Sequence, residues 1–281
     1  MRIQKKATVN PVFEILPEIH EPALTRLYCE VSDQSFCYFF KNNTNNLVTG
    51  LSVFHFDNIK NGRSPAAIIK KILDGQDLLF NNHDVIISYA YPQCMLIPAA
   101  HYEAGKNEEN LCIFFGDLEP GIILSDVVDE KNIVSVYRIP GDVEAVLKAH
   151  FPAAQSSHQF SSLAKQIGDD VNVLRVIFYQ KKIVVSLVAN GIMQIIQSYL
   201  YKTPEDVVYH LLSLCVNFEV NDPTLQLYGM IEKDSALFRE IHKYFRNVEF
   251  STLPQNCDYA DGIKEFPAHY FSHLFELAPC V

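Results

Sequence analysis

The stretch LYCEVSDQSFCYFF, residues 27–40, decides the fold that we expect of this chain. It alternates like a β-strand on both sides of a break at residues 32–35, where the polar residues SDQS follow one another. Alternation with a period of two favours a strand, and a polar cluster between two such runs favours a tight turn. The stretch therefore predicts a β-hairpin. Turns of this kind wrap a phosphate in many nucleotide-binding folds, which raises the question of whether this turn does so.

The elements after the hairpin follow a definite order. A polar loop, KNNTNN, leads to a third alternating segment at residues 47–56, and Ser64-Pro65 then supplies an N-cap and a proline at the first helical position. Apolar residues recur at helical spacing, and they are Ile68, Ile69, Ile72, Leu73 and Leu79. A short, β-branched, apolar strand is predicted at residues 84–91.

The second half of the chain repeats this order. The expected elements are strands at residues 173–178, 183–189 and 192–201, a turn at 179–182, and a short apolar strand at 225–230. Asn190-Gly191 is a hairpin signal, and TPED at residues 203–206 opens a helix with a cap, a proline and two acids at its positive end. The two halves share no notable sequence identity. We interpret the order as a duplication, with two unrelated α/β stretches as the alternative.

A different segment separates the halves. The pattern predicts a helix at 98–109, a strand at 111–115, a hairpin of strands 122–128 and 133–138, and a helix at 141–150. We therefore expect an N-terminal lobe at residues 1–152, with an inserted subdomain at about 94–152, and a C-terminal lobe at residues 153–281. Because no low-complexity linker separates them, we expect the lobes to pack closely.

Composition excludes several function classes. The chain has 281 residues, of which 48% are hydrophobic, and this is enough for a packed core. The net charge of −10 argues against a nucleic-acid partner, because phosphate backbones require clustered lysine and arginine. No apolar run reaches the roughly 18 residues that a membrane span needs. The first 20 residues do not resemble a signal peptide, so we expect a cytoplasmic protein without a membrane contact.

The seven cysteines indicate a reduced compartment. They are far apart, form no CxxC pair and lie mostly in apolar runs, as buried thiols do. They are Cys29, Cys37, Cys94, Cys112, Cys215, Cys257 and Cys280. Cys29 and Cys37 flank the hairpin turn without an obvious base or cation beside them, so we expect neither to be reactive.

The duplicated order of hairpin, strand, capped helix and strand resembles the actin-like ATPase superfamily, whose core is ribonuclease-H-like. The superfamily includes actin, sugar kinases, the Hsp70 ATPase domain and pilus-assembly ATPases. The segment at residues 203–250, TPEDVVYHLL…FRNVEF, also resembles the C-terminal half of an uncharacterised bacterial family with a domain of unknown function on this fold. The resemblance extends less clearly back to about Arg26. It implies an α/β fold of two lobes, each with a mixed sheet flanked by helices.

The superfamily's first phosphate loop, D-x-G-x-x-S/T, implies site residues in the turn. Its acid position corresponds to Glu30, its glycine position to Ser32 and its hydroxyl position to Ser35. The acid is one methylene longer, the glycine is absent, and Asp33 adds a negative charge where a phosphate would lie, although a magnesium ion could tolerate it. If ATP with Mg²⁺ is bound, these residues are the expected contacts.

The second phosphate loop departs further from the superfamily's pattern. Its acid position corresponds to Ile177 and its glycine position to Tyr179. Isoleucine cannot coordinate a metal, and a tyrosine side chain obstructs the approach of a phosphate to the backbone. The adenosine motif is reduced to a single glycine, Gly229, in Leu227–Met230.

Other candidate sites are weaker. His269 and His273 have the i, i+4 spacing of metal ligands on a helix, yet no HExxH acid accompanies them, so an ordinary amphipathic terminal helix is the favoured interpretation. The loop FFGDLEPG at 114–121 reads as a strand connection. The aromatic segments at 199–201 and 209–210 would line an interface or close the rim of a core, and the rim is favoured.

The sequence therefore predicts a pseudo-ATPase: a catalytically inactive actin-like scaffold without a cofactor or metal, whose cleft or lobe surface binds an unknown protein partner, with homodimerisation also open. The alternative is a nucleotide-binding ATPase or phosphotransferase that uses Glu30, Asp33, Ser35 and Gly229. A third alternative, nucleic-acid processing, would need a carboxylate cluster that Ile177 and the negative net charge disfavour.

Overall fold

The computed structural model describes residues 9–17, 24–56, 64–75, 84–117, 120–166 and 172–278. Four sequence predictions concern residues outside these ranges, and they are the apolar position Leu79, the thiol Cys280, Leu118-Glu119 of the loop after Phe115, and most of the N-terminal segment.

The strands and helices of the described residues are numbered in chain order. The strands are β1 (Phe13–Ile15), β2 (Thr25–Val31), β3 (Ser35–Asn42), β4 (Leu47–His55), β5 (Asp84–Tyr89), β6 (Cys94–Pro98), β7 (Ile122–Val128), β8 (Ile133–Ile139), β9 (Gln155–His158), β10 (Asn172–Phe178), β11 (Lys182–Ala189), β12 (Ile192–Leu200), β13 (Thr224–Gly229), β14 (Val248–Phe250) and β15 (Asp258–Tyr259). The helices are α1 (Pro65–Gly75), α2 (Asn107–Phe115), α3 (Gly141–His150), α4 (Gln159–Lys165), α5 (Pro204–Asn217), α6 (Ala236–Ile241), α7 (Asp261–Lys264) and α8 (Ser272–Phe275).

The chain divides into two compact units. The first unit contains residues 1–127, 133–159 and 256–263, and the second contains residues 128–132, 160–255 and 264–281. The lobe boundaries expected from the sequence stay a prediction.

Each unit contains one large mixed sheet, and the two sheets share a strand order. The shared order is β4-β3-β2-β5-β9 in the first unit, where β1 and β15 also pair with β4, and β12-β11-β10-β13-β14 in the second. In both, the first three strands of the shared order pair antiparallel, and the last two run parallel to the third. This confirms the duplicated actin-like fold with two mixed sheets. The two apolar strands predicted to be buried, β5 and β13, lie inside their sheets.

The opening stretch forms the hairpin β2–β3. Residues face each other in register from Thr25↔Asn42 to Val31↔Phe36, and the Tyr28 and Phe39 rings stack at 4.7 Å. Such cross-strand aromatic pairs stabilise a sheet and fix its register. The hairpin is buried along its length, so the register places the turn at residues 32–34 in one conformation.

The helix predicted at TPED is α5, and its start matches the prediction. The Thr203 hydroxyl accepts a hydrogen bond from the backbone N–H of Asp206, and the Asp206 carboxylate accepts one from the backbone N–H of Thr203. This reciprocal pair is a capping box. The inward face of the helix packs on the second sheet through Val207, Val208, Leu211 and Leu214.

The segment between the two predicted halves differs from its prediction. Residues 111–115 belong to helix α2 and not to a strand, whereas β6 at 94–98 was not predicted. Only short 3-10 turns at 99–101 and 104–106 precede α2, so the helix expected at 98–109 is wrong. Glu108 and Glu109 lie in the first turn of α2, where acids stabilise a helix, and a run of five apolar residues does not distinguish a helix from a strand. The small sheet beside α2 has the order β6-β8-β7.

Within the described ranges, no helix is both long enough and apolar enough to span a membrane.

Candidate functional site

The turn between β2 and β3 is closed by the side chain of Ser32. The Ser32 Oγ accepts hydrogen bonds from the backbone N–H groups of Gln34 at 3.1 Å and Ser35 at 2.9 Å. The Ser32 N–H donates to the Ser35 carbonyl oxygen at 2.9 Å, and the two hydroxyl oxygens are 3.0 Å apart. Both serines are buried. Two N–H groups of this turn, the kind of donor that binds a phosphate, are therefore bonded to the protein's own hydroxyl.

The Glu30 side chain, near the end of β2, is buried and hydrogen-bonded within the protein. Its side chain is only 2% exposed, and its Oε2 accepts a hydrogen bond from the Gln159 side-chain amide at 3.1 Å. Gln159 begins α4 and is itself buried. Across the hairpin lies Cys37, whose pKa is raised well above its usual value by burial and then by the Glu30 charge. The carboxylate is thus held by an amide in the folded chain.

The structure brings three of the predicted first-loop residues together and leaves one at the surface. Glu30, Ser32 and Ser35 are buried at one end of the hairpin, whereas Asp33 is exposed at the tip of the turn. Burial raises the pKa of the Tyr91 phenol, and the negative charge of Asp33 raises it further.

The turn at the corresponding place in the second unit is filled by tyrosine. The Tyr179 N–H donates to the Lys182 carbonyl oxygen at 2.9 Å, and the Tyr201 hydroxyl donates to the Tyr179 carbonyl oxygen at 3.0 Å. The Tyr179 ring contacts the edge of His273 at a centroid distance of 5.6 Å. Ile177, at the acid position, is buried in β10. The backbone of this turn is therefore bonded within the protein, and a side chain lies where glycine would be needed.

Lys182 is a notable residue of this turn that the sequence analysis missed. It stands five residues after Ile177, at the hydroxyl position of the superfamily loop, and only 1% of it is exposed. Its ammonium lies over the face of the Tyr179 ring, 5.3 Å from the centroid, in a cation–π arrangement. Its position in KK at 181–182 gave no signal that one lysine is buried.

Gly229 has a structural reason to be glycine. It ends β13 with φ at +80°, and a Cβ there would lie 2.3 Å from the Phe178 carbonyl oxygen. The close pairing of β10 and β13 therefore requires glycine at this position, whether or not a nucleotide is bound. Gly229 belongs to the second unit, whereas the other four predicted contacts belong to the first.

The predicted pair of histidines does not lie on one helix. His269 is in a 3-10 turn at 268–270, where its Nε2 lies 2.8 Å from the Ile231 carbonyl oxygen, and His273 is in α8. Burial lowers the pKa of His273 to about 3. Within the ranges that the structure describes, no group of three or more histidine, cysteine, aspartate or glutamate side chains could hold a metal ion.

A second buried polar group, also missed in the sequence, lies on the sheet of the second unit. Glu276 neighbours Arg175 of β10 and Tyr228 of β13, and burial raises the pKa of its carboxyl group to about 7. The Arg175 side chain donates to the Gln226 side-chain oxygen at 3.2 Å. Glu276 is 101 positions from Arg175 in the chain, so no local pattern connects them.

The aromatic segments proposed as an interface or a core rim are divided between these roles. Tyr199 is half-buried and stacks on His210 at 4.5 Å, and Tyr201 is bonded to the turn at Tyr179. Tyr209 and Leu200, by contrast, are exposed.

The comparisons with known proteins agree with this fold. A solved structure from Bacteroides thetaiotaomicron VPI-5482, described as a protein with an actin-like ATPase fold and unknown function, matches with a TM-score of 0.75 and 18% identity. The match covers 95% of this chain and 100% of that chain. The PilM–PilN type IV pilus biogenesis complex matches with a TM-score of 0.52 and 11% identity over 92% of this chain and 98% of that chain. No curated protein matches the chain.

The family assignment comes from the sequence of nearly the whole chain. Residues 17–248 match the family model described as "Protein of unknown function (DUF3822)". The match includes both hairpins and both turns analysed above. The chain belongs to the DUF3822 family, and it has the actin-like ATPase fold.

Proposed function

We propose that this protein is a non-catalytic member of the actin-like fold, a pseudo-ATPase that acts as a cytoplasmic scaffold for another protein. The observation that carries the proposal is the hydrogen bonding of Ser32. Its hydroxyl occupies the N–H groups of Gln34 and Ser35, so a phosphate would have to displace a buried side chain to reach them.

The second turn supports the same conclusion independently. Ile177 supplies no ligand for a metal, and Tyr179 stands at the glycine position of the loop, with its ring packed between His273 and the Lys182 ammonium. Magnesium requires oxygen ligands, which isoleucine lacks. Restoring a phosphate site here would need at least two substitutions in a buried strand and its turn.

A scaffold that binds another protein is the function proposed for the fold without nucleotide. The PilM–PilN structure is a complex of two proteins, one of which matches this chain in fold.

An altered ATPase site is the competing function, and Glu30 is the residue that favours it. Glu30 keeps a carboxylate on β2 beside a turn that contains the Ser35 hydroxyl. Such an acid could direct a metal ion if the Gln159 amide released it.

ATP hydrolysis distinguishes the two functions. The purified chain with ATP and Mg²⁺ should release phosphate no faster than buffer, and Glu30→Gln should behave identically. Glu30→Gln is nearly isosteric, so it tests charge with little change in packing. If the native chain hydrolyses ATP and Glu30→Gln abolishes the turnover, the protein is an enzyme and the proposal is wrong.

A further inference from the structure

The two large sheets differ at one corresponding edge. In the first unit the outer edge of β4 is covered by β1, which pairs with residues 51–53, and by β15, which pairs with residues 47–48. The corresponding strand of the second sheet is β12, since both are the third strand of their halves. Within the described ranges, no strand pairs with the outer edge of β12.

β12 lacks the features that usually protect an edge strand. It has nine residues, IMQIIQSYL, with no charged residue and no proline. Natural edge strands are commonly short, charged or interrupted, because an open edge pairs with other chains. The register with β11 shifts near Gln194, so a bulge interrupts only the beginning of the strand. A regular, uncharged edge remains at residues 195–200.

The backbone groups that face outward can be assigned from one hydrogen bond. The Tyr201 N–H donates to the Lys181 carbonyl oxygen at 3.1 Å, so Tyr201 points its backbone toward β11. In an antiparallel pair the direction alternates from residue to residue. Ile196, Ser198 and Leu200 therefore direct their N–H and C=O groups away from β11, toward the open side.

We propose that β12 pairs with β12 of a second copy of this chain, antiparallel and centred on Ser198. A two-fold axis through Ser198 places Ile196 of each copy opposite Leu200 of the other, and all these positions carry outward backbone groups. Leu200 is 71% exposed in the single chain, and the pairing would cover it with Ile196. The result is one continuous ten-stranded sheet across two copies.

The chemistry of the strand favours a second copy as the occupant. The outward positions have the order apolar, serine, apolar, which is complementary to itself when reversed, as a two-fold interface requires. The chain carries a net charge of −10, which opposes self-association in general, but residues 192–200 contribute no charge to the contact. Gln197 and Tyr199 face each other across the same axis, and both are uncharged.

The oligomeric state tests the proposal. Light scattering coupled to gel filtration, over a series of protein concentrations, should give twice the mass of one chain for the native protein at the upper end. Ser198→Pro should give the mass of one chain, because proline removes an outward N–H that β11 does not use. Leu200→Lys should do the same, because it places a charge in the contact that covers residue 200 with Ile196 of the other copy. Val216→Lys, at an exposed apolar residue of α5, is the matched control and should stay dimeric.

Cross-linking tests the register separately. Ser198→Cys should form a disulfide-linked dimer under mild oxidation, since opposite residues of an antiparallel pair lie at a compatible distance. Gln197→Cys should not, because the two copies of residue 197 are offset by two positions along the strands. A native chain that keeps the mass of a monomer at every concentration would overturn the proposal. So would a dimer that survives both edge substitutions and gives no Ser198→Cys cross-link.

Discussion

At residue 32 a serine hydroxyl accepts backbone hydrogen bonds of the kind that a bound anion accepts in a phosphate loop. The Ser32 Oγ accepts two backbone N–H groups that converge on it, as N–H groups in phosphate loops converge on an oxygen of the ligand. One residue thereby satisfies the backbone of the turn and fills its binding position. A glycine-to-serine difference from the superfamily loop has this effect only because the turn is tight and buried.

Ser32→Gly should reopen the turn at a cost in stability. Two buried N–H groups would lose their acceptor, so the free energy of unfolding should fall by about 2 kcal/mol in chemical denaturation. Inorganic phosphate should raise the melting temperature of this variant and leave that of the native chain unchanged. Ser64→Gly, which removes an exposed serine cap from the N–H of Ala67, is the control and should not respond to phosphate. An equal response of the native chain would show that the native turn already admits an anion.

Glu276 should make the stability of the fold depend on pH. Burial raises the pKa of its carboxyl group from 4.5 to about 7 in the folded chain. The stability that this carboxyl group contributes to the fold is therefore fully present below pH 4.5. It is lost as the pH rises toward 7, because the unfolded chain releases the proton at a lower pH than the folded chain does. Glu276→Gln cannot lose a proton, so its stability relative to the native chain should increase over that window by up to about 3 kcal/mol. Denaturation of both proteins at pH 4.5, 6 and 8 measures the difference, and a constant difference would contradict the raised pKa.

At the scale of elements, the capping box of α5 gives a direct test. Thr203→Ala removes the acceptor of the Asp206 N–H and should lower the free energy of unfolding by about 1 kcal/mol. Thr203→Ser keeps the hydroxyl and should cost far less. Chemical denaturation midpoints measure both. Equal midpoints for Thr203→Ala and the native chain would place the start of the helix elsewhere.

The capping box of α5 also explains why some elements could be predicted from the sequence. A threonine, a proline and two acids before an apolar periodicity specify a helix start locally, and α5 begins where they stand. Residues 111–115 carry no such marker: five apolar residues suit a strand or a helix, and α2 results from the residues before them and from the packing of Leu111. Local chemistry predicts an element best where its ends are marked.

At the scale of the whole molecule, the presence of two mixed sheets followed from the sequence, whereas the edge strands β1, β9, β14 and β15 and much of the site did not. The repeated hairpin, strand, helix and strand predicted two sheets, and the turn at residues 32–35 was correctly placed between β2 and β3. The partners of the site residues come from distant segments: Gln159 bonds Glu30 across 129 positions, and Glu276 approaches Arg175 only in the fold. Periodicity carries no information about such pairs.

Calorimetric titration of the native chain with ATP and Mg²⁺ tests the central claim most directly, namely that the fold no longer holds a nucleotide. With the Ser32 hydroxyl bonded to two N–H groups of the first turn and a tyrosine at the glycine position of the second, the titration should give no binding stronger than a Kd of about 1 mM. A Kd of about 10 µM or tighter would contradict it, because that affinity requires phosphate contacts from at least one of the two turns.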